Sequence, residues 1–121
     1  MPNFKRLIKS FKYAFYGLYK IFRAEQNIRI QITIGFFVVL LGWYFKINRF
    51  EWIILILIIS LVILMEIINS VIERTADILK PRIHTYAREI KDIMAAAVMI
   101  ASIIAVIIGL IIFLPYVNPV K

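Results

Sequence analysis

The sequence predicts an all-α integral membrane protein: an N-terminal amphipathic surface helix followed by three transmembrane helices. Three observations carry this expectation. The 121-residue chain is 63% hydrophobic and contains only four Gly and four Pro, a composition far from that of a soluble domain. Three stretches are apolar enough to approach or exceed the about 20 residues that a helix needs to span a bilayer. Lys and Arg are concentrated on one side of those stretches. Residues 1–121 read as a single domain.

The first element covers residues 1–27. Phe4, Leu7, Ile8, Phe11, Phe15, Leu18 and Phe22 fall within an arc of about 100° on a helical wheel. Lys5, Lys9, Lys12, Lys20 and Arg23 occupy the flank and the opposite side, which suits a helix lying on the inner membrane surface with its lysines toward headgroups. Arg6 and Tyr13, on the polar side, are placed to face an anionic ligand above the membrane. No continuous apolar core with a small-residue cleavage site is present in this stretch, so it does not read as a signal peptide and the N-terminus is expected to be retained.

The spans are expected at 30–46, at 52–72 with the helix continuing to about 78, and at 93–114. Arg29 and Lys46 bracket the short first span and are expected to extend toward the two interfaces, while Trp43, Tyr44 and Trp52 suit an aromatic belt. In the third, Ala97, Ala101, Ala105 and Gly109 recur every fourth residue and make a stripe where another helix can approach closely. Three short-looped spans bury little surface alone, so the stripe also points to a homo-oligomer. Pro115 and Pro119 are expected to end this helix.

Seven Lys and Arg lie between Lys5 and Arg29 and five between Arg74 and Lys91, against Lys46, Arg49 and Lys121 on the other side. The N-terminus and a 74–91 loop are therefore expected in the cytoplasm and the C-terminus outside, as in a multi-pass protein of a bacterial inner membrane. The net charge of +8 forms mostly one cytoplasmic layer, suited to anionic headgroups or a polyphosphate rather than to nucleic acid. With no cysteine, disulfides, thiolate metal sites and Cys nucleophiles are excluded.

The stretch "MEIINSVIERTAD", residues 65–77, continues the most apolar span and carries three carboxylates. With Glu66 at the origin of an unbroken helix, Asn69, Glu73 and Asp77 fall at about 300°, 340° and 20°, all on one narrow face. Glu66 then sits about 21 Å below Trp52, inside the inner leaflet, and Glu73 near the cytoplasmic boundary. An ionised carboxylate at a helix centre costs about 2.5 to 3.5 kcal/mol, less nearer the interface, and marks function by default. The alternative is a structural polar network joining helices through Glu66 and Asn69.

Glu25, Lys91 and Asp92 lie at the same mouth. Several carboxylates plus a lysine, without Cys, favour a hard cation such as Mg²⁺ held by oxygen ligands and substrate phosphates. Phosphoryl transfer draws on that inventory: cations bridging phosphate oxygens, a lysine for developing charge and a carboxylate to accept a hydroxyl proton. Neither a "GxxxxGK[ST]" nor a "GxGxxG" pattern is present, which excludes the common nucleotide-binding loops. A base as deep as Glu66 reaches a hydroxyl only on a lipid with a very small head, such as a diacylglycerol or a polyprenol.

At "EIINSVIERTAD" followed by "HTYAREIKD" the chain resembles the prokaryotic diacylglycerol kinase and undecaprenol kinase family. The pattern "ExxNSxxExxxD" is met at Glu66, Asn69, Ser70, Glu73 and Asp77, and "H…A…KD" at His84, Ala87, Lys91 and Asp92. The match covers nearly the whole chain, including the N-terminal helix and the order of the spans. The resemblance implies a homotrimer with composite active sites that uses Mg²⁺ and ATP to phosphorylate a membrane lipid alcohol. It implies Glu66 as general base, with Asn69 orienting Glu66 or the phosphate, and Glu25 and Glu73 as metal ligands in the ATP site. Arg6, Tyr13, His84, Lys91 and Asp92 match nucleotide-contacting positions, and Ala95 a lipid-substrate position. The family often has an acidic residue two positions before the loop histidine, where this chain has Arg82, a residue expected to contact ATP phosphates directly.

Arg74, Lys80 and Arg88 are expected to contact headgroups. The segment "SFKYAFYGLYKIFRAEQNIRIQ" resembles the undecaprenol kinase branch, so undecaprenol is the expected substrate and diacylglycerol the alternative. A groove for the lipid tail is expected along Phe36, Phe37 and Trp43, residues that lipid-facing packing explains equally well. Two other classes compete: a small multidrug-type transporter, which usually has four spans with its key acid in the first, and a non-catalytic subunit binding anionic lipid. The first span here has no acid, and a lipid-binding subunit does not need Glu66, Asn69 and Glu73 on one face.

Overall fold

The computed structural model describes residues 3–79 and 84–118, and these form four α-helices: α1 (Phe4–Ala24), α2 (Gln26–Phe45), α3 (Arg49–Leu79) and α4 (His84–Val117). Three of them, α2, α3 and α4, are long and apolar enough to cross a membrane. At about 1.5 Å per residue α2 matches a hydrocarbon core of about 30 Å, whereas α3 and α4 exceed it.

Each helix end has a local cause. Asn3 caps α1, its side-chain oxygen accepting the Arg6 N–H at 3.1 Å, which satisfies one of the orphan donors of the first turn. Glu25 alone separates α1 from α2, with extended backbone at φ −110° and ψ 112°. The Arg29 guanidinium reaches back from α2 to donate to the carbonyls of Phe22 and Arg23 at 2.9 and 2.8 Å. These are last-turn carbonyls of α1, where a cation also complements the helix dipole. Arg29, expected at a membrane interface, is therefore a helix cap.

The α2–α3 connection is built from two motifs. Lys46 adopts the left-handed conformation at φ 53°; its N–H donates to the Trp43 carbonyl at 3.3 Å and the Ile47 N–H to the Gly42 carbonyl at 3.2 Å. This is a Schellman ending. Asn48 and Glu51 then form a reciprocal capping box, with Asn48 Oδ1 accepting the Glu51 N–H at 2.8 Å and Glu51 Oε1 accepting the Asn48 N–H at 3.1 Å. The Tyr116 hydroxyl, near the end of α4, donates to the same carboxylate oxygen. A buried cluster of Ile47, Leu55, Ile58 and Ile112 fills this end of the bundle.

The long pair α3 and α4 forms the main packing interface; α2 leans mostly on α3, and α1 chiefly on α2. No residue of α1 is buried. Most large apolar side chains of the spans are exposed, as suits surfaces that face lipid or other helices.

Four expectations change. The first span is helical from Gln26 rather than 30, and the N-terminal helix stops at Ala24. Of the 74–91 stretch, α3 takes in residues to Leu79, in line with the expected continuation to about 78, but α4 already begins at His84 rather than near 93. Hydropathy ends a span where charges begin, whereas the backbone ladder runs on through charged residues in water. Pro115 does not end α4, which continues to Val117, with the Asn118 N–H donating to the Leu114 carbonyl at 2.9 Å. Its missing N–H deprives only the Ile111 carbonyl of a partner, and its ring is tolerated in the last turn. In the small-residue stripe Ala101 is buried and Ala105 half-buried, but a Cβ at Gly109 would meet open space.

Candidate active site

Glu66 lies on the inward stripe of α3 with Leu55, Ile58, Val62 and Ser70, a spacing of three and four residues that keeps one helix face against the bundle. It is 6% exposed, and among the described residues no donor hydrogen-bonds its carboxylate. Glu73 and Glu25 are both within electrostatic reach of it. Glu66 and Glu73 of the stripe expected from the wheel are thus joined by Glu25, from the break between α1 and α2.

Their immediate partners are specific. The single-residue break at Glu25 turns its side chain toward α3, where Oε1 accepts from the Ser70 hydroxyl at 2.8 Å and from the Arg74 guanidinium at 3.1 Å. Arg74 also donates to the Ser70 hydroxyl, one turn back on α3. Asn69 Nδ2 donates to Glu73 Oε1 at 3.2 Å, a helical i, i+4 pair. Lys91 Nζ donates to Asp77 Oδ1 at 2.5 Å and so ties α4 to α3 at the same end.

These contacts correct some expectations. Asn69 orients Glu73 rather than Glu66 in the isolated chain. Arg74, expected to contact headgroups, is an ion-pair partner of Glu25. Its signal was present in the sequence as the Ser70 to Arg74 spacing of one turn, but the pairing with Glu25 depends on how the α1–α2 break packs on α3.

The other expected positions are not brought together by a single chain. Arg6 and Tyr13 stay on α1, Tyr13 being 69% exposed, and among the described residues neither side chain has a hydrogen-bonding partner. Asp92 and Ala95 are exposed on α4. His84 begins α4, its side chain lying outside the described set, and Arg82 and Lys80 fall outside the described residues altogether.

A half-open apolar groove of about 450 Å³ runs between α2, α3 and α4. Its walls include Gly35 and Val38 of α2, Ile59 and Val62 of α3, and Ala105 and Gly109 of α4. Phe36, Phe37 and Trp43 do not line it and are 61%, 59% and 76% exposed. Gly35 suits the close approach here, since a Cβ would lie 3.0 Å from the Ile59 side chain, which would have to give way by a few tenths of an ångström. Val62, at one end of the groove, is one helical turn from Glu66, so an apolar chain lying in the groove would present its polar end to that carboxylate.

Among the described residues no three His, Asp or Glu side chains close on one metal position. Mg²⁺ does not need such a cage, because it is commonly held by one or two carboxylates together with substrate phosphates and water. Glu25 and Glu73 fit that pattern as hard oxygen donors, and Glu25 already holds a cation, the Arg74 guanidinium.

Comparison with known proteins gives a consistent picture. The family model described as "Prokaryotic diacylglycerol kinase" matches residues 12–113. An undecaprenol kinase of Bacillus subtilis is 34% identical over 110 residues, 91% of this chain and 89% of that one. A diacylglycerol kinase of Synechocystis is 32% identical over 115 residues, covering 94% of this chain and 64% of that longer protein. A diacylglycerol kinase of Escherichia coli is 31% identical over 105 residues, 87% of this chain and 86% of the other.

Proposed function

Because this chain belongs to the prokaryotic diacylglycerol kinase family, we propose that it is a membrane lipid kinase that transfers the γ-phosphate of ATP to undecaprenol. The observation that carries the reading is the position of Glu66, a buried carboxylate one turn beyond an apolar groove and within electrostatic reach of Glu25 and Glu73.

In this mechanism the lipid tail lies along the groove and its terminal hydroxyl meets Glu66. The carboxylate accepts the hydroxyl proton as the oxygen attacks the γ-phosphorus. The bond from that phosphorus to the β,γ-bridging oxygen breaks, leaving ADP and a phosphorylated lipid. Glu73, hydrogen-bonded by Asn69, and Glu25, hydrogen-bonded by Ser70, would hold Mg²⁺, which would supply charge neutralisation for the phosphates. Lys91 and Asp92 of α4 contact the nucleotide, together with Arg6, Tyr13, Arg82 and His84, and Ala95 contacts the lipid. Neighbouring copies in a homotrimer complete the site, which accounts for Arg6 and Tyr13 standing apart from the acids in one chain. The N-terminus and the end of the bundle where α3 finishes and α4 begins face the cytoplasm, where ATP is available, the C-terminus lies outside, and α1 lies along the inner surface.

Undecaprenol is preferred on the strength of the relative of that name and its coverage of both chains; diacylglycerol is the alternative that the other relatives support. Purified protein given Mg-ATP and each lipid alcohol side by side tests this. Faster phosphorylation of undecaprenol supports the assignment, and faster phosphorylation of diacylglycerol overturns the substrate while leaving the reaction. No phosphorylated product from either lipid overturns the reaction.

A further inference from the structure

The proposed chemistry leaves Arg74, the ion-pair partner of Glu25, without a task. Its guanidinium donates to Glu25 Oε1 at 3.1 Å and to the Ser70 carbonyl at 3.4 Å, and it also contacts the Ser70 hydroxyl. The Ser70 hydroxyl bonds that same Oε1, so both protein donors use one oxygen, and among the described residues Oε2 receives none. The Arg74 side chain is 53% exposed and that of Glu25 28%. One end of the pair is thus partly withdrawn from water and fixed by Ser70, while the other can swing into solvent.

Resting on the reading of Glu25 as a metal ligand, we propose that Arg74 is a positioning residue that serves as the resident counter-cation of the metal site. It holds Glu25 while no divalent cation is bound and competes with that cation for the carboxylate. Glu25 and Glu73 lie within electrostatic reach of Glu66, and a positive charge held close to them relieves that repulsion. The guanidinium supplies that charge in the nucleotide-free chain. An arriving divalent cation takes over Glu25 as Arg74 leaves Oε1, and Ser70 keeps the carboxylate aimed during the exchange. Arg74, now in solvent beside Glu73, is then free to face phosphate oxygens. Breaking a partly exposed ion pair opposes metal binding by a factor of about three to five.

The test is Mn²⁺ binding to the full-length chain in detergent, followed by electron paramagnetic resonance without nucleotide. Arg74→Gln is expected to bind Mn²⁺ about three- to fivefold more tightly than the parent. Arg74→Lys, which keeps the charge but not the planar fork, is expected to fall between them. In turnover assays the Mg²⁺ concentration for half-maximal rate falls in the same order, whatever happens to kcat. If Arg74→Gln does not fold, as judged by loss of its thermal transition, Arg74→Lys alone decides. A folded variant that binds Mn²⁺ no more tightly than the parent overturns the inference, since a purely structural tie lowers stability and kcat without tightening metal binding. Glu25→Gln separates this from the reading it rests on. If that variant keeps the parental Mn²⁺ affinity, Glu25 is not a metal ligand and the metal assignment falls. If it loses Mn²⁺ while the Arg74 variants match the parent, only the role of Arg74 falls.

Discussion

The Ser70 hydroxyl donates a 2.8 Å hydrogen bond to the Glu25 carboxylate across 45 residues of chain. It joins the break between α1 and α2 to the helix that carries Glu66. Ser70 is 2% exposed, so replacing it removes a hydrogen bond to a charged group that water does not readily restore. Ser70→Ala should cost about 1.5 kcal/mol of stability, read by denaturant titration in detergent. It should also raise the Mg²⁺ concentration for half-maximal turnover, because Glu25 loses its fixed aim.

Lys46 occupies a left-handed position that an L side chain enters at a cost of about 1 to 2 kcal/mol, and it is exposed. Gly carries no such cost, although it gives back part of the gain through its more mobile unfolded chain. Lys46→Gly should therefore stabilise the protein by about 0.5 to 1 kcal/mol. An unchanged or lower unfolding midpoint would contradict the Schellman ending described for α2.

The Asn48–Glu51 capping box and the Tyr116 hydroxyl share one carboxylate. Asn48→Ala should cost about 1 kcal/mol. Tyr116→Phe should cost a similar amount, since it removes a bond to a charged acceptor. The double variant Glu51→Ala with Tyr116→Phe should cost less than the sum of its single losses, because both changes remove the same bond between the Tyr116 hydroxyl and the Glu51 carboxylate. Additive losses would show that Glu51 does not couple α3 to α4.

Lys91 is held to Asp77 at 2.5 Å, so the lysine assigned to the nucleotide is pre-aimed from α3. Asp77→Asn removes the charge but keeps the shape, and it should raise the KM for ATP several-fold while leaving the affinity for the lipid alcohol little changed. A lipid-affinity defect of equal size would point instead to a general displacement of α4 against α3. This assigns Asp77 a positioning role that helical spacing alone left open.

Much of this was legible from hydropathy and spacing. The apolar runs around Phe36, Ile58 and Ile104 are spans because each must satisfy its backbone internally in lipid, and the wheel put Glu66, Asn69 and Glu73 on one face because an unbroken helix leaves no other arrangement. What could not be read was contact across elements. Arg74 looked like any cytoplasmic arginine until the break at Glu25 turned that carboxylate onto α3, and Arg29 looked like an interfacial anchor until α1 ended beside it. The continuation of α3 to Leu79 was legible from the unbroken helical spacing, whereas the start of α4 at His84, well before the apolar run at 93, was not, because charges lower hydropathy without unwinding a helix. A groove was expected along large aromatics, whereas the apolar groove of the structure opens where small side chains such as Gly35 and Ala105 leave room.

The central claim is that Glu66 takes the proton of a lipid hydroxyl during phosphoryl transfer. Single-turnover transfer of γ-phosphate from Mg-ATP to undecaprenol, compared between the parent and Glu66→Gln, tests it most directly. The account predicts a loss of about 10² to 10⁴ in the rate of transfer, with nucleotide affinity nearly unaltered because the amide keeps the shape of the acid. A Glu66→Gln protein that transfers phosphate at the parental rate would contradict it.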